Sequence, residues 1–232
     1  MNYYLSKFYR FIHEGAIPFT KLIMILSSLS FILIMFFNNI INFTGLLALI
    51  PGNLPGFFWT FLTYPLVNRD FLSIIFAGLW LWFVGGSLER TWGTGIYMSF
   101  CLLVTLVTGG AMALAAIITK IPYYPIIGLW LPLVGITWAW AKVYPEREVM
   151  FWGIFPIKAI WLAWIDAGIT FFTYLQINNK TNFFMALAAI SGIVLVYLFG
   201  DTGRLGRGLR YRNWRRETSY KKTKRSRLRI IK

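Results

Sequence analysis

The chain has 232 residues, of which 58% are hydrophobic and 19% aromatic, whereas only 13% are charged. A surface with so few charges cannot be solvated like that of an ordinary globular protein, so the composition excludes a soluble domain and predicts an all-α integral membrane protein. The net charge of +15 is unevenly distributed, and most of it belongs to the C-terminal tail.

Apolar stretches long enough to cross a bilayer recur along most of the chain. The hydrocarbon core of a bilayer is about 30 Å thick and requires roughly 20 apolar residues per spanning helix. Such stretches predict six spans, at residues 22–43, 71–88, 96–119, 124–141, 157–175 and 183–200. We therefore expect one membrane domain over residues 20–200, preceded by an amphipathic arm (1–19) and followed by a basic tail (201–232).

The loop after the first span is apolar but is interrupted by proline and glycine ("LLALIPGNLPGFFWTFLTYPLV", 46–67). A segment of this kind is too short and irregular to cross the membrane. We expect it to lie at the membrane interface, with Trp59 and Tyr64 at head-group level.

Basic residues indicate the orientation, because Lys and Arg near helix ends are retained on the cytoplasmic side. The tail 201–232 holds 13 Lys and Arg residues against two acids. With six spans, this predicts that both termini are cytoplasmic. A bacterial plasma membrane, a thylakoid or another organelle membrane would accept that orientation.

Asp166 is the one acid well inside a predicted span. Burial of an isolated carboxylate there would cost a few kcal/mol. Lys158 lies two turns earlier, about 12 Å away by helical rise, which is too far for a direct ion pair. A hydrogen bond to a neighbouring helix is the simpler interpretation of Asp166, and a polar contact for a partner helix is the functional one.

The sequence predicts neither a cofactor nor a metal. Cys101 is the only cysteine, so neither an intrachain disulfide nor a cysteine metal site can form. The only histidine, His13, precedes the first span, so the spans lack the usual ligand of a haem or chlorophyll. We interpret the aromatic side chains of Trp130, Trp138 and Trp140 as packing and anchoring groups.

The stretch "FAGLWLWFVGGSLERTWGTGIYMSF" (76–100) resembles the rhomboid family of intramembrane serine proteases, at the junction of that family's second and third helices. The motif residues are Gly85, Gly86, Glu89, Arg90, Gly93 and Gly95. The resemblance extends to "FFWTFLTYPLV" (57–67), similar to the interfacial loop, and to "YPEREVMFWGIFPIKAIWLAW" (144–164), similar to the link between the fourth and fifth helices. It implies a six-helix rhomboid-like bundle in which Glu89 and Arg90 join helix ends and loops by hydrogen bonds.

The catalytic positions of that family carry other residues in this chain. The resemblance places Trp130 where a rhomboid has its serine, Ala189 where it has its histidine, and Ser73 and Ala77 at the oxyanion positions. Nucleophilic catalysis by a hydroxyl requires a nearby base and a donor for the developing negative charge. The resemblance therefore predicts an inactive rhomboid-like protein, similar to the derlins.

The basic tail alternates cations with aromatic residues. Juxtamembrane clusters of this kind bind anionic lipid at about 1 kcal/mol per charge, and this is the expected use. RNA or an acidic protein surface is the less favoured partner. The cations concerned are Arg204, Arg207, Arg210, Arg212, Arg215, Arg216, Lys221, Lys222, Lys224, Arg225, Arg227 and Arg229.

Together these features predict a non-catalytic membrane protein that binds other membrane proteins, as an accessory or assembly subunit or as a client-binding factor. One alternative is an active rhomboid endopeptidase. Another is a membrane anchor whose tail binds anionic lipid, RNA or an acidic partner.

Overall fold

A computed structural model of the chain describes residues 17–54, 56–68, 70–151, 155–177 and 180–198. The arm before residue 17 and the basic tail after residue 198 lie outside the described residues. The expectations for these two segments therefore stay predictions. Within the described residues the protein is mostly helical, with two short antiparallel hairpins.

Three helices are long and apolar enough to cross a membrane; two agree with the predicted spans 71–88 and 96–119, and one overlaps the span predicted over 22–43 but starts and ends earlier. They are α1 (Pro18–Phe37), α4 (Phe71–Trp92) and α5 (Thr94–Ile118). Proline at the first helical position starts α1, since its missing N–H would be unsatisfied there in any case. Asp70 starts α4, because its side chain accepts a hydrogen bond of 2.7 Å from the Ser73 N–H. Inside α4, residues Leu81–Gly85 form a π-helical segment.

The connection between α1 and α4 is built from short pieces, namely α2 (Phe43–Leu47), a 3₁₀ turn (Pro51–Asn53), α3 (Thr60–Thr63) and a second 3₁₀ turn (Tyr64–Leu66). No piece is long enough to span, as expected for an interfacial loop. Leu49 forms an isolated antiparallel bridge with Ile126, which joins this loop to the segment before the next helix.

The second half of the described chain has shorter helices. These are α6 (Trp130–Val143), α7 (Ala159–Leu175), α8 (Phe183–Ala189) and α9 (Gly192–Leu198). Strands β1 (Glu148–Phe151) and β2 (Phe155–Lys158) connect α6 to α7, and β3 (Gln176–Ile177) and β4 (Lys180–Thr181) connect α7 to α8.

Two predicted spans differ from these helices for local reasons. The span predicted over 124–141 becomes helical only at Trp130, because Pro125 disfavours helical backbone at the residue before it and Gly128 has a φ of +107°. The span predicted over 183–200 is interrupted at Ile190 and Ser191, next to Gly192. A Ser–Gly pair is a recognised position for a sharp helix kink.

Helix α6 lies at the centre of the bundle, and its residues from Leu131 to Ala141 are all buried. It packs against α5, α7, α9 and the π-helical part of α4. At Gly135 the backbones of α6 and α9 touch, because a Cβ added there would lie 3.1 Å from the Gly192 carbonyl oxygen. Small residues thus allow the close helix approach that is typical of packing in lipid.

Candidate functional site

Among the described residues, the positions that the resemblance assigns to rhomboid catalytic residues carry no nucleophile–base pair. Trp130 begins α6 and is partly exposed, and Ala189 ends α8 and is fully buried. Ala77 is buried on α4, while Ser73, one turn earlier, takes part in the Asp70 cap through its backbone N–H. His13 lies outside the described residues.

Glu89 forms a cluster of hydrogen bonds at the end of α4. Its Oε1 accepts a bond of 2.9 Å from the Phe19 N–H, and its Oε2 accepts bonds of 2.9 Å from the Thr20 N–H and 2.7 Å from the Thr20 hydroxyl. Glu89 is only 1% exposed. The carboxylate therefore satisfies backbone donors at the first turn of α1, where the helix dipole also favours a negative charge.

Two further contacts extend this arrangement to the loop after α6. Arg147 donates from Nη1 to the Ser87 hydroxyl at 3.2 Å, and the Thr91 and Tyr144 hydroxyls are hydrogen-bonded to each other. We refer to Glu89, Ser87, Thr91, Tyr144 and Arg147, with their partners on α1, as the Glu89 cluster. It connects the start of α1, the end of α4 and the loop after α6.

Each glycine of the rhomboid-like motif occupies a different structural environment. A Cβ at Gly85 would overlap the Tyr97 hydroxyl, so glycine allows the close contact between α4 and α5. Gly93 forms the turn between these helices with a φ of +84°, a conformation that L side chains rarely adopt. Gly86 lies against Ile17, and Gly95 has open space around its Cβ position. Arg90, the neighbour of Glu89, is exposed.

The interfacial loop corrects one sequence-based expectation. Trp59 is 40% exposed, as expected for an interfacial residue, and its indole N–H donates to the Leu46 carbonyl at 3.0 Å. Tyr64 is fully buried instead of facing the head groups, because its ring fills the space beside Gly109 and its hydroxyl donates to the Thr105 carbonyl at 3.1 Å. This burial raises the pKa of the Tyr64 hydroxyl.

A second polar arrangement lies between α4, α6 and α7. The Trp80 indole N–H donates to the Thr137 hydroxyl at 2.9 Å, and the Thr137 hydroxyl in turn interacts with the Asp166 carboxylate. Thr137 is fully buried. We call Trp80, Thr137 and Asp166 the intramembrane polar layer.

Asp166 is incompletely satisfied in this layer. Its Oδ2 is buried and has no hydrogen-bond partner among the described residues. An unmade hydrogen bond of this kind leaves a desolvation penalty of about 1–3 kcal/mol, or more for a charged group. Asp166 thus has hydrogen-bonding capacity that its own bundle does not use.

Lys158 does not belong to the polar layer. It precedes the first residue of α7 and forms an ion pair of 2.9 Å with Glu146, at a side-chain exposure of 49%. The hydrogen bond and charge of Glu146 raise the pKa of the Lys158 ammonium. Of the two residues considered for an intramembrane contact, only Asp166 lies within a helix of the bundle.

The long apolar helices and the Glu89 cluster define a polytopic integral membrane protein, and the comparisons with known proteins specify its class. Residues 20–199 match the family described as "Eukaryotic integral membrane protein (DUF1751)". This match covers more than half of the chain, and the chain belongs to that family.

Similarity to named proteins is distant and rhomboid-like. The chain is 28% identical to "Rhomboid-like protein 19" of Arabidopsis thaliana over 123 residues, which cover 50% of this chain and 40% of that protein. It is 26% identical to "Rhomboid protease GlpG" of Enterobacter sp. (strain 638) over 173 residues, 72% of this chain and 60% of the protease. A GlpG of Yersinia enterocolitica is 24% identical over 147 residues, 62% of this chain and 48% of that protein. The matched stretches therefore span less than two thirds of these relatives.

Proposed function

We propose that this protein is a non-catalytic, rhomboid-like integral membrane protein that binds other membrane proteins, either as a subunit of a complex or as a factor that handles membrane clients. The observation that carries this proposal is the buried Oδ2 of Asp166, which has no hydrogen-bond partner in the described part of the chain. A partner helix that presents a hydroxyl, amide or cationic group would supply the missing donor and recover the desolvation penalty.

A partner helix could approach Asp166 from an exposed surface of the bundle. Helix α6 packs against both α4 and α7, so that Trp80 and Asp166 reach Thr137 from its two sides. The outer face of α7 is bare, since Trp161, Ile165 and Ile169 are each at least 49% exposed. A client that packs on this face or between α4 and α7 would lie near the polar layer.

The residues at the rhomboid catalytic positions support a non-catalytic role. Trp130 and Ala189 carry neither a hydroxyl nucleophile nor a base, and the chain's only histidine is His13. We further infer six spans from the apolar stretches, and both termini on the cytoplasmic side and a tail that binds anionic lipid from the distribution of Lys and Arg. The family description favours a eukaryotic membrane.

A pull-down on variants of the full-length chain tests the proposal. The wild type, Asp166→Leu and Asp70→Asn would be purified in mild detergent at native expression, and co-migrating proteins identified by mass spectrometry. Asp70→Asn is the matched control, because it also removes a carboxylate but preserves a helix-capping side chain. We expect stoichiometric partners with the wild type and the control, and their loss from Asp166→Leu. A wild type that purifies alone, or an Asp166→Leu variant that retains every partner, would contradict the proposal.

The similarity to rhomboid proteases makes an active endopeptidase the second candidate. A serine-reactive fluorophosphonate probe distinguishes the two, because an activated serine becomes covalently labelled. We expect no labelling of the wild-type chain. Labelling that disappears when one particular serine is replaced by alanine would establish the protease instead.

A further inference from the structure

Arg147, in the loop after α6, is held in place without an acid. Its guanidinium carbon lies 5.4 Å from the centroid of the Phe83 ring and 5.5 Å from that of the Tyr144 ring, within the range of cation–π attraction. Its Nη1 donates to the Ser87 hydroxyl at 3.2 Å. A guanidinium has five N–H donors in a fixed fork, and Arg147 is exposed. These contacts therefore position the group and leave most of its donors for another acceptor.

The Phe83 ring that supports Arg147 is itself anchored in the bundle. Phe83 belongs to the π-helical segment Leu81–Gly85 of α4, and such segments occur frequently at functional sites. Its ring packs edge-to-face against Trp140, at a centroid distance of 5.6 Å, and Trp140 is fully buried in α6. The cation thus rests on a rigid support, so binding an acceptor there would cost little side-chain entropy.

Arg90 places a second guanidinium at the same turn of α4. Its Nη2 lies 3.8 Å from the position that a Cβ on Gly86 would occupy. Gly86 is the neighbour of Ser87, the residue to which Arg147 donates, so the two cations lie beside consecutive residues of one helix. Arg90 is exposed, and neither arginine forms an ion pair with an acid that the structure describes. Like charges repel each other, so an anion bound between them would stabilise the pair.

The acids nearest to these arginines in the sequence are engaged elsewhere. Glu89 is buried, and both of its carboxylate oxygens accept hydrogen bonds from the start of α1. Glu146 is ion-paired with Lys158, and Glu148 lies opposite Lys158 in the β1–β2 hairpin. An external anion would therefore meet two cations that no described carboxylate holds in an ion pair.

The two arginines lie at the membrane boundary, next to an exposed apolar surface. Arg90 is two residues before the end of α4, and the Glu89 cluster connects this end to the start of α1 and to the loop that carries Arg147. Phe83 is 36% exposed and Leu79 is 60% exposed, and they lie about 10 and 16 Å further into the membrane by the helical rise. A molecule with an anionic head and an apolar chain would contact the arginines and this surface together.

The charge of the pair favours a phosphate monoester as the head. A phosphate monoester carries about −1.5 to −2 charges at neutral pH and presents three acceptor oxygens. Guanidinium groups bind such oxygens in a bidentate manner. A phosphodiester, with a single negative charge, would neutralise only one of the two arginines. The pair would therefore distinguish lipids by their headgroup instead of attracting every anionic lipid equally.

We propose that Arg90 and Arg147 bind the phosphate monoester head of one lipid of the phosphatidic acid type, whose acyl chains lie along the exposed apolar side chains near the end of α4. This inference goes beyond the proposed function and does not depend on it. The site is also separate from the basic tail, which lies outside the described residues.

Native mass spectrometry of the full-length chain tests this site. The delipidated protein in detergent would be titrated with an equal mixture of phosphatidic acid, a phosphate monoester, and phosphatidylglycerol, a phosphodiester, both with the same acyl chains. The basic tail is identical in every variant, so differences between variants report on the arginines. We expect the wild type to retain one phosphatidic acid in preference to phosphatidylglycerol.

Three single substitutions separate the site from general charge attraction. Arg90→Gln removes an exposed cation and should weaken the retention of phosphatidic acid about tenfold, which corresponds to about 1.4 kcal/mol. Arg147→Lys keeps the charge but loses the planar fork, so the preference for phosphatidic acid over phosphatidylglycerol should disappear. Lys142→Gln is the matched control, because Lys142 is a cation at the same end of α6 but lies over the Tyr197 ring of α9, at 3.6 Å. It should retain lipid as the wild type does.

Equal retention of phosphatidic acid by Arg90→Gln and Lys142→Gln would overturn the proposal. So would a wild type that binds the two lipids equally, or an Arg147→Lys variant that keeps the full preference. Because Arg90 is exposed, Arg90→Gln keeps the proposal testable if Arg147→Lys does not fold.

A competition arm distinguishes a lipid from a soluble phosphate. Inorganic phosphate and glycerol 3-phosphate, added at millimolar concentration to the wild type, should not displace the bound phosphatidic acid, because they lack the acyl chains that contact α4. Displacement by either compound would assign the arginines to a soluble phosphate and overturn the assignment to a lipid.

Discussion

The Glu89 cluster and the intramembrane polar layer each contain one acid, and the two acids differ in how completely they are hydrogen-bonded. Both Glu89 oxygens accept hydrogen bonds, three in total, from Phe19 and Thr20 at the start of α1. In the polar layer, Asp166 interacts with a hydroxyl that also accepts a bond from Trp80, and no residue that the structure describes bonds to its Oδ2.

The difference follows from what each acid faces. Glu89 faces a helix N-terminus, which carries unsatisfied backbone N–H groups and a partial positive charge. Asp166 faces the middle of α6, whose backbone donors are already used within the helix. We infer that the first acid holds the bundle together and that the second retains hydrogen-bonding capacity for another molecule.

The largest expected effect comes from Glu89→Ala. This substitution leaves two backbone N–H groups and one hydroxyl without their acceptor, and hydrogen bonds to a charged group contribute about 1.5–3 kcal/mol each. Because such contributions are not fully additive, we expect a loss of about 3–5 kcal/mol in the free energy of unfolding. Thermal unfolding in detergent measures it.

Glu146→Ala is the control for this experiment, because Glu146 is also an acid but its side chain is 79% exposed. It should unfold at nearly the wild-type temperature. A Glu89→Ala variant as stable as Glu146→Ala would show that the cluster does not stabilise the bundle.

The next effect in size is that of Thr20→Val, which removes the hydroxyl donor to Glu89 and keeps the backbone N–H. The acceptor is charged, so we expect a loss of about 1.5–3 kcal/mol. Thr91→Val is the comparison for neutral bonds in the same cluster, because it removes hydrogen bonds to the Tyr144 hydroxyl and the Ser87 carbonyl, and each should cost about 1 kcal/mol. If the loss per removed bond is no larger for Thr20→Val than for Thr91→Val, the charge of Glu89 contributes nothing to its bond with Thr20.

Much of the helical framework could be predicted from the sequence, because long apolar stretches have few alternatives in a bilayer. The predicted spans over 71–88 and 96–119 agree closely with α4 and α5. The start of α6 was predicted six residues too early, since hydropathy does not register the backbone restrictions at Pro125 and Gly128. Turn chemistry of this kind is visible in the sequence and could have corrected the boundary.

The sites were harder to predict, because their contacts join residues far apart in the chain. The acceptor role of Glu89 depends on Thr20, which is 69 positions away, and nothing in the local sequence pairs them. Asp166 was conspicuous as an acid in an apolar stretch, but Trp80 and Thr137 carry no local signal. Tyr64 was misplaced because an aromatic residue in a loop also fits head-group anchoring, whereas the space beside Gly109 exists only in the folded bundle.

For Asp166→Leu we expect a smaller change in stability than for Glu89→Ala or Thr20→Val. The substitution removes the penalty of the unbonded Oδ2 but also the contact with the Thr137 hydroxyl, and these two effects offset each other, so the free energy of unfolding should change by less than about 1 kcal/mol. The same variant should lose its partners in the pull-down. Destabilisation as large as that of Glu89→Ala would make Asp166 a structural residue and remove the contrast between the two regions.

The smallest effect should come from Lys158→Met, which breaks the exposed ion pair with Glu146. Water screens such a pair, so at neutral pH the melting temperature should change less than with Thr20→Val. Glu146 raises the pKa of the Lys158 ammonium, so any stabilisation is present below the ordinary lysine pKa and is lost as the pH rises through the raised value. Melting curves of the wild type and the variant should therefore converge at alkaline pH, and a difference that grows there would show that Lys158 acts on the bundle through something other than this pair.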